Sequence, residues 1–316
     1  MKTAASGFAS LMIMSLILFY LVPSAGSANQ TALPETGALE PTSSSAAEPT
    51  PPHSDQPVTL DDHIRLWVKE VARTSGFEGW LEAGWTTYPL GPGTHGWVAI
   101  FEKDGQELGY FIIHATEIGG FLLGEYGTGS SPLFSEATLN HNVSLYGLHV
   151  NKEVQPQKIY MDPLQTVWQL EGTEETHYLD AVTGELLPVS ETVSLWRSNQ
   201  FHTALVPEAL GPLASSSAVI QASGSMPPFD PFENTDWMLH KPVVSHELHD
   251  IMQAVHHEAN VTFTAKLFEH TVLYAFGVSS YQIWSNKAAY VGLSLDTGGV
   301  RYIPFSVLQR YGNFFL

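Results

Sequence analysis

The stretch GWVAIFEKDGQELGYFIIHATEIGGFLLGEYGTG, Gly96 to Gly129, decides the fold. It reads as three consecutive antiparallel strands, because Asp104-Gly105 and Gly119-Gly120 interrupt apolar runs with residues that tolerate the positive φ of tight hairpin turns. In Trp97 to Phe101 and in Tyr110 to Ile113 both alternating faces are apolar, which predicts central strands covered on both sides. Within Phe121 to Tyr126, Gly124 leaves room for a bulge or a neighbouring backbone.

Upstream, Trp80 to Leu90 reads as the first strand of the same meander, closed by the turn Pro89-Leu90-Gly91-Pro92-Gly93. Before it, Thr59 opens a helix with Asp61 and Asp62 in its first turn, where the helix dipole favours negative charge. Leu60, Ile64, Trp67, Val68 and Val71 recur at helical spacing and Gly76 ends the helix, so Trp67 is read as core and not as a cofactor contact. A helix followed by a four-stranded meander is an α+β unit.

Downstream, Leu145 to Pro188 is a second β-rich block, with a strand at Leu164 to Leu170 and a hairpin over His177 to Glu185 turning at Thr183-Gly184. Ser190 to Leu205 reads as an amphipathic connector and Val206 to Pro228 as a Ser, Ala, Gly and Pro-rich linker. A second helix is expected from Ser245 to about Asn260, with Leu248, Ile251, Met252, Val255 and Ala259 as its buried stripe. Thr271 to Phe276, Tyr281 to Trp284, Ala288 to Leu295 and Val300 to Ile303 read as strands, with a turn at Asp296 to Gly299. Pro304 to Tyr311 reads as a short helix stopped by Gly312. The expected class is α+β, mainly antiparallel sheets with a few amphipathic helices, in two modules.

The chain has 316 residues, 13 basic against 32 acidic, for a net charge of −19. Such a field repels nucleic acid and anionic membrane surfaces, which argues against both as partners. Lys2, the apolar run Phe8 to Val22 and the small residues Ser24 to Ala28 form the pattern of a secretory signal peptide, cleaved after Gly26 or Ala28. An uncleaved N-terminal anchor is the alternative, and would be the chain's route to a membrane. There is no cysteine, so disulfides, a thiolate nucleophile and a lipidated cysteine are excluded together.

These readings divide the chain into a signal peptide (1–28), a Pro, Ser and Thr-rich tether without core-forming residues (29–57), a helix plus antiparallel β module (58–190), a connector (191–228) and a C-terminal α+β module (229–316). Leu33-Pro34-Glu35-Thr36-Gly37 matches the LPxTG sorting signal read by sortases. It lies far from the C-terminus, where such a signal works, and is taken as a chance match. Asn29, Asn142 and Asn260 head N-x-[ST] sequons, relevant only in a glycosylating host.

Three groups are candidates for chemistry. His95 and His114 flank the central sheet, and Glu125 reaches His114 if the strands pair closely, the contact a general acid/base pair needs; a structural histidine at a strand end is the competing reading. The carboxylates of Phe229 to Trp237 suggest calcium, but the spacing misses an EF-hand loop and a capped turn fits better. His246, His249, His256 and His257 line the second helix without the zincin spacing, since Asp250 stands where a second histidine is needed. His246 and His257 lie about 16 Å apart along such a helix, so they cannot share one ion. His246 with Asp250 is at best half a site, and a solvated, pH-sensitive face is the default.

Two resemblances complete the reading. YLDAVTGELLP, Tyr178 to Pro188, looks like the terminal hairpin of PepSY-type and protease-propeptide-like domains, secreted bacterial modules that inhibit, chaperone or regulate a partner. AAYVGLSLDTGGVRYIPFSVLQRYG, Ala288 to Gly312, resembles the second half of papain-like C39-type peptidase domains. That family carries its catalytic histidine at the start of the first of these strands. Here Asn286-Lys287-Ala288-Ala289-Tyr290 occupies the position and no cysteine nucleophile exists, so the resemblance implies a catalytically dead copy. The expected function is an exported non-enzymatic binding or regulatory protein whose partner is an extracellular or envelope protein, with no catalytic, cofactor or metal residues assigned. The alternative is an extracellular hydrolase, metal-assisted through the histidine-rich helix or a degenerate papain-like peptidase.

Overall fold

A computed structural model describes residues 59–91, 95–116, 119–189, 218–233, 235–239, 247–296 and 298–316. The signal, tether, sorting-like motif, Ser190 to Leu205 and His246 lie outside the described residues. Helix α1 spans Leu60–Val71, and its start is a reciprocal capping box: Thr59 Oγ1 accepts from the Asp62 amide at 3.3 Å while Asp62 Oδ2 accepts from the Thr59 amide at 3.0 Å. The expected stripe of Ile64, Trp67, Val68 and Val71 is buried.

The meander follows as β1 (Gly84–Pro89), β2 (Gly96–Lys103), β3 (Gln106–Ala115) and β4 (Phe121–Thr128), each antiparallel to the next. The first strand is shorter than Trp80 to Leu90, because Glu78–Glu82 forms a 3-10 turn. That turn lays the Trp80 indole on the core, stacked 4.3 Å from Phe101 and edge-on to Phe77 at 4.9 Å. Gly124 sits at a bulge, since Ile112 pairs with Glu125 and Ile113 with Leu123. A Cβ there would stand 2.8 Å from the His114 ring, so the room the glycine leaves is taken by an imidazole.

Helix α2 (Glu136–Leu145) was not legible, because only Leu139 and Asn142 of it are buried and no apolar stripe exists. Strands β5 (Gln157–Asp162), β6 (Gln165–Glu171) and β7 (Thr176–Asp180) make a separate three-stranded antiparallel sheet. The expected turn at Thr183-Gly184 is present, with the Gly184 amide donating to the Asp180 carbonyl.

The stretch 191–228, expected as a connector, contains strand β8 (Ile220–Ser225). It docks on a sheet edge, and the Ile220 amide donates to Glu70 Oε1 of α1 at 2.8 Å, so partners elsewhere overrule its loop-like composition. Helix α3 spans Leu248–His256 and buries Ile251, Ala254 and Val255. Ala259 is exposed and not part of the stripe, since the helix has ended and Glu258 turns the chain at φ 52°. Strand β9 (Val261–Leu267) escaped the sequence reading, because five consecutive residues are buried and the alternation is lost. The two strands expected at Thr271 to Phe276 and Tyr281 to Trp284 are one, β10 (Val272–Trp284), with an irregularity between Val278 and Ser280. Strands β11 (Ala289–Leu295) and β12 (Gly299–Pro304), helix α4 (Phe305–Tyr311) and strand β13 (Gly312–Phe315) complete the chain. Gly312 does end the helix, but it starts a strand.

One large antiparallel sheet runs in the order β1-β2-β3-β4-β12-β11-β10-β9-β13, with β8 also paired to β10. The two β-rich halves of the chain therefore meet where β12 pairs with β4, Val300 with Thr128, Arg301 with Gly127 and Tyr302 with Tyr126. On one face Ile64, Trp67 and Trp80 cover Phe101, Phe111 and Tyr126. On the other, the small sheet and α2 cover β2 and β3 through Tyr160, Trp168, Leu170 and Leu139, and α3 and α4 cover the C-terminal strands.

Gly109, at φ 151°, is a point of close backbone approach: a Cβ there would lie 2.1 Å from the Gly127 carbonyl oxygen and 2.6 Å from Trp80. Gly109→Ala is expected to lower stability by more than about 3 kcal/mol, read as a fall in the urea midpoint with little change in slope. An unchanged midpoint would contradict this packing.

Candidate functional site

Where β4 and β12 meet, Arg301 lies 4% exposed and Glu125 0% exposed. Arg301 Nη2 donates to Glu125 Oε1 at 3.0 Å and Oε2 at 3.2 Å, and also to the Pro163 carbonyl between β5 and β6. Tyr110 of β3 closes the group, its hydroxyl donating to Glu125 at 2.9 Å and accepting from Arg301 Nε at 3.1 Å. Burial lifts the Glu125 carboxyl above its ordinary value and the Arg301 charge opposes that lift. For Arg301 burial works against the charge, but Glu125 and Tyr110 outweigh it, so the guanidinium stays protonated. Beside this cluster, burial raises Asp162, while the Leu164 and Gln165 amides and the Gln165 side chain bond its carboxylate.

Of the acid/base candidates, His114 has its ring against Gly124, the residue before Glu125, and Glu125 is engaged by Arg301 and Tyr110. Among the described residues nothing bonds to His114 Nε2, nor to the hydroxyl of Tyr160, whose ring centroid is 5.7 Å from the imidazole. Burial pushes His114 down to about 4. His95 is exposed at φ 45°, and its carbonyl accepts from the Ala115 amide at 2.9 Å. With Glu125 and His114 enclosed, this cluster locks strands together and has no face for a substrate.

The polar chemistry open to solvent lies at the other end of the meander. Asp61 and Arg65 from α1 and Gly84 to Thr87 from β1 line an open hollow of about 510 Å³. Trp85 makes two contacts with α1: Nε1 donates to Asp61 Oδ1 at 3.2 Å, and the Arg65 guanidinium lies 5.0 Å from the ring centroid. Strand β1 is the outer strand of the large sheet, and half the backbone groups of a strand paired on one side face away from its partner. Sequence reasoning placed β1 correctly in the meander but gave no signal for the pairing of Trp85 with α1, which lies 24 positions upstream. Arg301 was also missed, although a lone arginine in the apolar strand GVRYIP was its visible mark.

The remaining candidates stay apart. Asp230 caps its own turn by accepting from the Phe232 amide at 2.8 Å. His249 pairs with Gln253 at 3.0 Å, and His256 and His257 are exposed with rings 5.2 Å apart. Among the described residues no three His, Asp or Glu side chains gather as a metal site. Asn142 is buried, donating to the Thr138 carbonyl, whereas Asn260 is exposed. Asn286 caps the turn that leads into β11 by accepting from the Ala288 amide at 3.2 Å. Among the described residues no helix is long and apolar enough to cross a membrane. Comparisons with protein-family models, curated proteins and solved structures gave no match to this chain.

Breaking the buried pair with Arg301→Met leaves Glu125 without its counter-charge and is expected to cost about 3–5 kcal/mol in urea unfolding. Glu125→Gln combined with Arg301→Met should recover part of that loss, so an additive double variant would contradict the coupling. His114 supplies a pH test. Its value is 6.5 when exposed and about 4 in the fold, so on acidification the unfolded chain takes up the proton first. Stability present above pH 6.5 is then lost as pH falls towards 4, by about 3 kcal/mol. His114→Gln should flatten the profile by about that amount; equal slopes in both proteins would rule the histidine out.

Proposed function

We propose that this chain is an exported, non-enzymatic binding or regulatory protein that acts on an extracellular or cell-envelope partner protein. The observation that carries the reading is the half-buried Trp85 on an outer strand, its ring 6.0 Å from Phe101 and its open part bordered by Arg65 and Asp61. Tryptophan and arginine held in place at a surface are the residues that anchor protein interfaces, because they bury much area and lose little freedom on binding. The signal-like N-terminus, the tether composition of 29–57 and the acidic balance support export and a protein partner over nucleic acid. The resemblance of Tyr178 to Pro188 to propeptide-like hairpins points the same way. The histidine–carboxylate pair that a hydrolase could use is enclosed at the sheet seam.

The test is affinity capture from the producer's secreted and envelope fractions with the mature chain, 29–316, beside its Trp85→Ala variant. A partner retained reproducibly by the wild type and weakened at least about tenfold by the variant supports the reading. No reproducible partner, or turnover in a peptide and ester screen, would sink it.

A further inference from the structure

The two ends of the large sheet are treated differently. At the C-terminal end the outer strand β13 has four residues, and Trp237 packs against its Phe315 at 5.8 Å. At the other end β1 has six residues, pairs with β2 in unbroken register from Gly84–Glu102 to Pro89–Trp97, and among the described residues has no strand on its outer side. Its sequence GWTTYP contains no lysine and no bulge, and its proline stands at the last position. Thr86 and Thr87, β-branched residues that favour extended pairing, are among the residues that line the open hollow.

The charges around this edge are unequal. Glu102 lies opposite Gly84, Asp104 follows in the next turn, Asp61 lines the hollow and Glu82 precedes the strand; the four are exposed. The cations nearby are committed: Lys103 to Glu82, Arg65 to the Trp85 ring, and Lys158 to the rings of Tyr88 and Trp168 at the far end of the strand. Resting on the binding reading above, we propose that β1 takes up an extended, lysine- or arginine-bearing segment of the partner protein as an eleventh strand beside the ten already paired. Backbone hydrogen bonds to the open edge supply affinity, and the carboxylates select positive side chains. Two other occupants fit less well. The chain's own segment 29–57 contains Glu35, Glu40, Glu48 and Asp55 and neither lysine nor arginine, and a second copy would bring the same acidic border against this one.

Three capped synthetic peptides of about eight residues, long enough to pair with β1, test the proposal. One alternates lysine and valine, one is its twin methylated on alternate backbone nitrogens, and one replaces lysine by glutamate. Titrated into the mature chain, the first is expected to protect the amides of Gly84 to Tyr88 from hydrogen exchange, and the other two to bind at least about tenfold more weakly. Thr86→Lys, an exposed change that adds a positive charge to the edge, should weaken the first peptide similarly while leaving the thermal midpoint in place. Equal binding of the methylated or acidic peptide overturns the proposal, as does no protection at about 1 mM of the first. Protection without peptide that grows with protein concentration assigns the edge to a second copy, and protection that disappears on removing 29–57 assigns it to the tether; either outcome also overturns it. A captured partner held equally by the wild-type and Thr86→Lys chains rejects strand addition and leaves the binding reading standing. Peptide protection with no captured partner does the reverse.

Discussion

The Arg301–Glu125 ion pair is the constraint on which the rest of the architecture depends. It bridges β12 and β4, the only pairing among the described residues that joins the N-terminal meander to the C-terminal strands in the sheet order, and the same guanidinium reaches the Pro163 carbonyl of the small sheet. Removing both charges from water is costly, and a buried pair of this kind does not by itself make a fold more stable than an apolar contact of the same shape. Its value lies in discrimination. A shift of β12 by one position against β4 would turn Arg301 to the opposite face, among Tyr126, Trp284 and Tyr290, and strand two charges without partners.

The opposite face of the seam is built from different material with the same effect. Tyr126 and Tyr302, paired across β4 and β12, stack at 5.1 Å, and the Tyr126 hydroxyl donates to Gln282 at 2.7 Å while accepting from Trp284 at 3.2 Å. Tyr290 donates to the Leu123 carbonyl at 2.6 Å, and Gln282 reaches Thr74 beyond α1. These rings contribute apolar area, and their polar tips are held by named partners. Both faces therefore specify the same alignment.

The legible parts of the chain were those with local signals. The helix start at Thr59, the Asp104-Gly105 turn and the two-sided apolar strands β2 and β3 each carry their cause within a few residues. The parts that escaped are set by distant partners. β8 has the composition of a linker and is a strand because β10 and Glu70 hold it; α2 has no stripe because only Leu139 and Asn142 of it are buried; β9 hides its alternation by being buried on both faces. The candidate site divides in the same way. Glu125 stood out early as a carboxylate in an apolar strand, but the choice between catalysis and cross-linking lay with Arg301, which comes 176 positions later. The clamp on Trp85 needed the three-dimensional path of α1 past β1 before it became visible.

That separation governs the order of assembly. As the chain emerges from its N-terminus, the first four strands are complete long before β12 exists, and loop closure over such a span slows the final docking. Until then β4 is itself a bare margin, holding a carboxylate with no counter-charge. An apolar strand in that position would invite pairing with other incomplete chains. A charged carboxylate at such a margin disfavours edge pairing, and Glu125 becomes a structural cross-link only when Arg301 arrives.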